Sequence, residues 1–388
     1  MPGGATASMP ASVYRELPIE RRRVMMLGLR GIPNVQGGVE KHVEMLAGRL
    51  IAHGWDVEVV GRRRYLPVPA PIPGMESRHS PVSPRMMALE AIVHTFLGVC
   101  YAALRRPDIL HIHAVGPALL VPLARLMRLN VVVTHHGYDY DRQKWGAFAR
   151  RMLRAGERMG MRLAQGRIAI SRDIADTMGE RYRVPVSLVP NGVTVSRSSS
   201  ETGILGEFRL TRRRYILLAA RLVPEKRQID LIQAYAKLGN SGFDLVLAGG
   251  AEFAGVYEEE VRALASRVPG VVLTGFQTGD RLVELFANAA LFVLPSSHEG
   301  MPIALLEAMA HGLPVLASDI VANRQLGLPA GDYFPLGNVD ALSSAIAEKI
   351  ANPPDEQEVL AQTERVEAVY SWSSVALKTL DVYRAVTK

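Results

Sequence analysis

Residues 291–318 constrain this chain more than any other stretch: Leu-Phe-Val-Leu-Pro-Ser-Ser-His-Glu-Gly-Met-Pro-Ile-Ala-Leu-Leu-Glu-Ala-Met-Ala-His-Gly-Leu-Pro-Val-Leu-Ala-Ser. The apolar run 291–294 has the length and character of a buried strand. A polar turn follows at 296–300. Pro302 falls where a first helical residue is expected, because its fixed φ and missing N–H cost nothing there. Residues 303–310 are good helix formers, Gly312 is the expected stop, and Pro314 lies just beyond it. Val315 opens the next strand. The unit is strand–turn–helix–strand, and its helix N-terminus favours an anion, phosphate above all, in the turn.

Two carboxylates frame that turn, Glu299 before the helix and Glu307 among the Ile, Leu and Met of the helix. A buried unpaired carboxylate is costly, so Glu307 needs a polar partner or an exposed face. On a plain reading, Ile303, Glu307 and His311 form one wetter stripe at i, i+4 spacing.

The chain has 388 residues, beyond the usual size of a single core, so two domains are expected. One cysteine, Cys100, excludes an internal disulfide framework and suits a reducing compartment. Residues 1–20 read as a disordered tail rather than a secretory leader. The most apolar window, 86–104, carries Glu90 and His94 and runs into Arg105-Arg106, as a soluble helix would and a membrane span would not. Charge is uneven. Through Arg197 there are 28 Lys and Arg against 15 Asp and Glu, a balance of +13; beyond it the counts are 17 and 23, a balance of −6. The first half alone is therefore expected to face an anionic partner, either nucleic acid or a membrane surface.

Residues 24–28 form an expected first strand. The glycine-rich segment 29–40 then leads into an amphipathic helix with Val39, Val43, Leu46, Ala47 and Leu50 on one face. Gly37-Gly38 allows close backbone approach to a ligand, or simply makes a tight turn. The spacing is not Gly-x-Gly-x-x-Gly, which disfavours a nicotinamide cofactor. Strands are expected at 55–61, 109–113, 131–134, 168–171 and 186–189, with 67–84 as a long proline-rich mobile loop. Strands alternating with helices imply a parallel sheet covered on both faces. His135, His136 and Asp139 follow a strand's carboxyl end, where ligands gather in such folds. Arg150, Arg154, Arg158 and Arg162 recur at spacing four on a helix expected over 148–167, as a solvated face or as a phosphate- or membrane-facing stripe. The linker is placed in 194–211. The strand–helix pattern then restarts at 215–219. Arg221 and Lys226 bracket the next turn, and two such cations suit a diphosphate, Arg as a planar fork and Lys as a point charge.

Several of these strings resemble retaining glycosyltransferases of family 4. Glu299-x7-Glu307, with its flanking Ser-x-x-Glu-Gly and Glu-Ala-Met-Ala-x-Gly-x-Pro-Val, is similar to the signature of that family. Arg30-Gly31-Ile32-Pro33 with Gly37-Gly38-x-Glu40 resembles the opening of a rhamnosyltransferase-like subgroup. His136 and Asp139 match that subgroup's turn, although many members carry Asp where His136 stands. Arg142, Lys144 and Trp145 match the Arg-x-Lys-Trp that follows. Arg221 to Lys226 resembles Gly-Arg-Leu-x-x-x-Lys, with Ala220 replacing the glycine.

The resemblance implies two Rossmann-like, doubly wound parallel-sheet α/β domains facing a cleft, the GT-B architecture. The acceptor domain would be 21–195, the nucleotide-sugar domain 196–371, and helix 372–388 would cross back onto the first. It also implies retaining, metal-independent hexosyl transfer. The donor would be UDP- or GDP-linked and a substrate, with no cofactor. Gly37, Gly38, Arg221, Lys226, Gly300, Met301, Pro302 and Ile303 would hold its diphosphate, and Gly275, Phe276 and Glu307 its nucleoside, Glu307 on the ribose diol. Catalysis would involve His136, Asp139 and Glu299, the last holding the transferred sugar. The expected acceptor is a glycan or lipid diphosphate in surface polysaccharide or lipopolysaccharide assembly. The expected location is the cytoplasm, peripheral at the inner face of an anionic membrane, with no nucleic acid bound.

Two rivals share parts of the pattern. A nucleotide-sugar 2-epimerase has the same fold and ionises the same bond but transfers nothing. A nucleic-acid binder would explain the basic half, yet no aromatic-interleaved basic motif supports it. Asp139-x-Asp141 also matches the metal-binding Asp-x-Asp of a different glycosyltransferase architecture, a short match that recurs by chance.

Overall fold

The computed structural model describes residues 22–62, 65, 75–80, 87–142, 145–195, 201–251 and 255–387. The 1–20 tail, Arg63 and Arg64, most of the 67–84 segment, Lys144 and Ser198 to Ser200 lie outside the described residues.

The first sheet contains β1 (Arg23–Leu27), β2 (Asp56–Arg62), β3 (Met75–Ser80), β4 (Ile109–His113), β5 (Val131–His135), β6 (Gly166–Ala169) and β7 (Ser187–Leu188). Its strands are all parallel and lie in the order β3-β2-β1-β4-β5-β6-β7. The second contains β8 (Tyr215–Ala219), β9 (Asp244–Ala248), β10 (Val271–Gly275), β11 (Leu291–Leu294), β12 (Val315–Ser318) and β13 (Tyr333–Phe334). It too is parallel, ordered β10-β9-β8-β11-β12-β13. Both are doubly wound, Rossmann-like sheets. The central strands β4, β5, β11 and β12 are buried at every position; β11 reads as an unbroken apolar run, whereas β4 carries His111 and His113, β5 ends in Thr134 and His135, and β12 ends in Ser318. Strand order reverses between β1 and β4 and again between β8 and β11. These are the points where such sheets open a ligand crevice at their carboxyl ends.

The chain returns to the first sheet after completing the second. The Val193 N–H donates to the Tyr370 carbonyl at 2.7 Å, and Val193 pairs with Ser371. The terminal helix Trp372–Val386 then packs on the helix Gly38–Ala52. A Cβ on Gly192 would run into the buried Trp372 indole, so that crossing requires glycine.

Three local expectations are corrected. Part of the expected proline-rich loop is strand β3, which pairs with β2 from Val57↔Met75 onward. It is a polar edge strand, Met-Glu-Ser-Arg-His-Ser, without the apolar run that marks a buried one. The helix expected over 148–167 spans Ala147–Leu163, because Ala164 is extended and Arg167 belongs to β6. Pro302 is the N-cap, one residue before the helix Ile303–Ala310, with the extended backbone of a cap.

Candidate functional site

The two sheets meet where their carboxyl-end loops touch. A Cβ on Gly300 would run into the backbone carbonyl of His136, and Gly300 Cα lies 3.3 Å from where a Cβ on Gly137 would sit. Two turns 164 residues apart in sequence thus share one floor. Further bridges close the cleft around it. Thr278 Oγ1 donates to Asn34 Oδ1 at 3.0 Å. The Gln36 amide, oriented to satisfy both partners, donates to the Gly250 carbonyl at 3.1 Å and accepts from its N–H at 3.3 Å. Asn191 Nδ2 donates to the Met301 carbonyl at 2.9 Å.

The second-domain wall carries charge. Lys226 Nζ pairs with a Glu299 oxygen, joining the turn after β8 to the turn after β11. Ser297 N–H donates to the Glu225 carbonyl at 2.8 Å, fixing those two turns together. The Arg221 carbonyl accepts from Gln228 at 2.7 Å, and the Leu222 N–H donates to the Gly250 carbonyl at 3.1 Å. The first-turn N–H groups of helix Ile303–Ala310 meet no side-chain cap, so they and the helix dipole are disposed toward an anion in the turn. Glu307 is half-buried. Burial raises its carboxyl above the usual range, while Lys41 of the first domain pulls it down. The plain stripe reading of Ile303, Glu307 and His311 gives way here, since Ile303 is buried rather than wet. Gly275 takes a left-handed φ of 69° at an irregularity in β10, and the Phe276 ring beside it is 43% exposed near Gly250.

The first-domain wall is built from imidazoles. His113 Nδ1 lies 3.1 Å from His136 Nε2, and the His42 ring meets the His136 ring edge-on with centroids 5.0 Å apart. His111 lies behind, its ring centroid 4.1 Å from that of His113, and its two nitrogens are bonded to Tyr383 and Thr134. Burial lowers the pKa of all four, of His42 to about 4 and of His111 to about 3, with neighbouring imidazoles adding to the effect for His111, His113 and His136. The rings are therefore neutral near pH 7. His135 points away to a buried acid: its Nε2 lies 3.1 Å from Glu157, which also accepts from Tyr140, Tyr182 and Arg181. Burial alone would raise the Glu157 carboxyl, but its hydrogen bonds outweigh that and hold it at about 2. This network anchors the turn that presents His136.

Asp139 pairs with Arg142 at 2.9 Å, whereas Asp141 faces a separate hollow. Among the described residues the only trio of ligating side chains within reach of one ion is His42, His113 and His136, which includes neither aspartate. The glycine-rich segment is held by Arg30, whose Nε donates to Glu40 at 2.9 Å and whose Nη2 donates to the Gln36 carbonyl. A Cβ on Gly37 would strike both Glu40 and Arg30, while one on Gly38 would meet nothing. A side chain at Gly37 would thus displace the Arg30–Glu40 pair, and Gly38 borders open space. Sequence reasoning missed His42 and His113. His42 lies on an amphipathic helix and His113 ends a buried strand, and only the folded chain joins them to His136.

Residues 36–197 match the family described as Glycosyltransferase Family 4, and residues 207–366 match Glycosyl transferases group 1. Together with the two Rossmann-like sheets, these matches define the class: the chain is a family-4-like glycosyltransferase of GT-B fold. A Mycobacterium tuberculosis protein named glycogen synthase is 26% identical, covering 94% of each chain. The solved structure of a sucrose-phosphate synthase from Thermosynechococcus elongatus superposes with a TM-score of 0.79 at 21% identity, over 94% of this chain and 98% of that one. The Anabaena protein HepE in complex with UDP-glucose superposes with a TM-score of 0.72 at 18% identity, over 92% and 98%.

Proposed function

We propose that this enzyme transfers a hexosyl group from a nucleotide-diphosphate sugar, UDP- or GDP-linked, with retention of anomeric configuration. The observation that carries the proposal is the contact of Gly300 with the His136 carbonyl. It brings the charged turn of one domain and the imidazole turn of the other side by side, which supports a single reacting centre between them. The donor diphosphate lies against Arg221, Lys226, Gly37, Gly38 and the start of helix Ile303–Ala310, beside Gly300, Met301 and Pro302. Its base lies by Gly275 and Phe276 and its ribose on Glu307; a fold relative solved with UDP-glucose supports a nucleotide-sugar donor. As the glycosidic bond breaks, negative charge grows on the diphosphate, and preorganised cations and N–H groups stabilise it. Lys226 then exchanges part of its pairing with Glu299 for the leaving oxygens, and Glu299 is released toward the sugar. His136 and Asp139 face that sugar from the acceptor domain. No carboxylate is assigned as a covalent nucleophile, so attack comes from the face the leaving group vacates.

The acceptor enters beside the same loop. A hollow of about 500 Å³ lined by Tyr138, Tyr140, Asp141, Arg154, Asp173 and Arg181 offers aromatic faces and hydrogen-bonding groups, its two arginines balanced by two aspartates, which suit the sugar of a glycan or lipid-linked acceptor. Arg150, Arg154, Arg158 and Arg162 are exposed along the helix that borders it, with Phe148 78% exposed at its start. No helix among the described residues is long and apolar enough to cross a membrane. Peripheral attachment at an anionic cytoplasmic surface, in polysaccharide or lipopolysaccharide assembly, follows from that stripe. Each basic residue near such a surface adds about 1 kcal/mol.

The test is product stereochemistry. NMR of the first-formed product, in buffer containing EDTA, should show the donor's anomeric configuration at undiminished rate. An inverted product refutes retention, and loss of activity restored by manganese or magnesium refutes a metal-independent diphosphate site. Release of nucleotide without acceptor would favour the epimerase. Co-sedimentation should retain the enzyme on anionic vesicles at low salt and release it at high salt; equal recovery on neutral vesicles refutes the membrane assignment.

A further inference from the structure

The wall of imidazoles carries more than the transfer reaction asks of it. One ring nitrogen from each of His42, His113 and His136 lies within 4.8 Å of the others. Two ligands about 2.1 Å from a shared zinc-class ion are at most about 4.2 Å apart, so the trio needs only a small side-chain adjustment. The 3.1 Å spacing of His113 Nδ1 and His136 Nε2 is already that of two adjacent ligands.

The supporting hydrogen bonds fix which lone pairs are offered. Asn191 Nδ2 donates to the Met301 carbonyl at 2.9 Å, so Asn191 Oδ1 is the acceptor facing His42. His42 Nδ1 lies 2.9 Å from that oxygen and must carry the proton, which leaves Nε2 as a lone pair. A metal-bound histidine has this arrangement, its second nitrogen held by a fixed oxygen. His113 Nε2 is buried and meets no partner. Its Nδ1 has only His136, so the imidazole pair is left with one unmatched ring nitrogen. A cation taking the lone pairs of His113 Nδ1 and His136 Nε2 would replace the single hydrogen bond between the two rings, with their protons carried on the second nitrogens. Neutral imidazoles suit zinc, copper or nickel better than the oxygen-preferring magnesium or calcium.

We propose that His42, His113 and His136 form a binding site for one zinc-class divalent cation, and that its occupancy excludes sugar transfer. The inference rests on the proposed role of His136, whose nitrogen the ion would take away from the donor sugar. On the metal-independent transfer proposed above, the ion is an inhibitor. Three protein ligands leave a fourth position for water.

The test is titration of the metal-free enzyme with cobalt(II), a zinc substitute with visible absorption. The wild type should develop the intense bands of low-coordinate cobalt and saturate at one equivalent. His42→Gln and His113→Gln, with wild-type circular dichroism, should bind at least about 10²-fold more weakly, given that even outer-shell changes weaken metal sites 10–100-fold. No bands in excess cobalt, or bands that persist in either variant, overturn the site. Should a variant not fold, X-ray absorption of the zinc-loaded wild type decides, with three imidazole ligands expected and fewer refuting the trio. Zinc should inhibit transfer, and raising the donor concentration should relieve it. Saturated cobalt binding with unchanged turnover overturns the exclusion but leaves the glycosyltransferase reading intact. Silence of both spectrum and turnover points instead to a failure of the whole site.

Discussion

On the second-domain side of the cleft Lys226 and Glu299 form an ion pair beside a helix whose first turn has no side-chain cap. On the first-domain side the groups facing them are neutral imidazoles, His42, His113 and His136, packed ring against ring. The two walls carry this contrast although the domains' net charges run the other way, basic first and acidic second. Net charge describes a domain's outer surface and its long-range attraction. The charge a reacting group meets is set by the few side chains within several ångströms, and there burial decides. At the second wall the cation Lys226 is paired with the carboxylate of Glu299. The three imidazoles of the first wall have no such partner within their cluster and are neutral, and the charged groups of the adjoining turn, Asp139 and Arg142, pair with each other.

Three experiments would break or sharpen this comparison. Removing the charged wall should have the largest effect. Arg221→Ala and Lys226→Ala should each cut turnover by about 10²–10³-fold, the range for losing one preorganised donor to developing charge. Steady-state kinetics on folded variants measure it, and near-normal turnover would remove that residue from the mechanism. The contact between walls comes next. Gly300→Ala sets a methyl against the His136 carbonyl, and overpacking of that kind costs about 1–3 kcal/mol, so turnover should fall by roughly 5–150-fold. Small-angle scattering should show a more open molecule, while an unchanged shape with full activity would mean the closed contact is not used.

The smallest effect is expected at Glu307. Glu307→Gln keeps an acceptor oxygen for a ribose diol but loses its charge, so donor binding should weaken by about 1 kcal/mol, measured by calorimetry. The same variant should melt higher without ligand. Burial raises this carboxyl's pKa in the folded protein. Its charged form is therefore a burden on the fold above that pKa, and the burden lifts as pH falls through it. The melting advantage of Glu307→Gln should be present at neutral pH and shrink on acidification. An advantage that ignores pH would return Glu307 to a packing role.

Legibility followed sequence distance. Arg221 with Lys226 and Glu299 with Glu307 sit within single turns or one helix start, where spacing alone fixes neighbours. The buried strands β4, β5, β11 and β12 announced themselves by short, mainly apolar stretches for the same reason. Strand β3 did not, because an edge strand of polar residues is defined by its partner β2 and not by its own pattern. Pro302 was misplaced by one residue, since a proline serves either as cap or as first helical residue and the sequence does not distinguish them.

The sequence by itself determined two doubly wound parallel sheets, the strand–turn–helix–strand unit of 291–318 and the unequal charge of the halves. Each of these is written in contiguous residues or in their sum. The tertiary structure alone decided that His42, His113 and His136, spread over 95 positions, share one wall. It also decided that Gly300 rests on His136, that Lys41 lies near enough to act on Glu307, and that Asp139 and Asp141 part company. The physical reason is that imidazoles become a neutral, ligand-ready cluster only when burial strips their water. Which residues share a buried volume is settled by how β1, β4 and β5 line up and how the terminal helix closes over them, information that no local pattern holds.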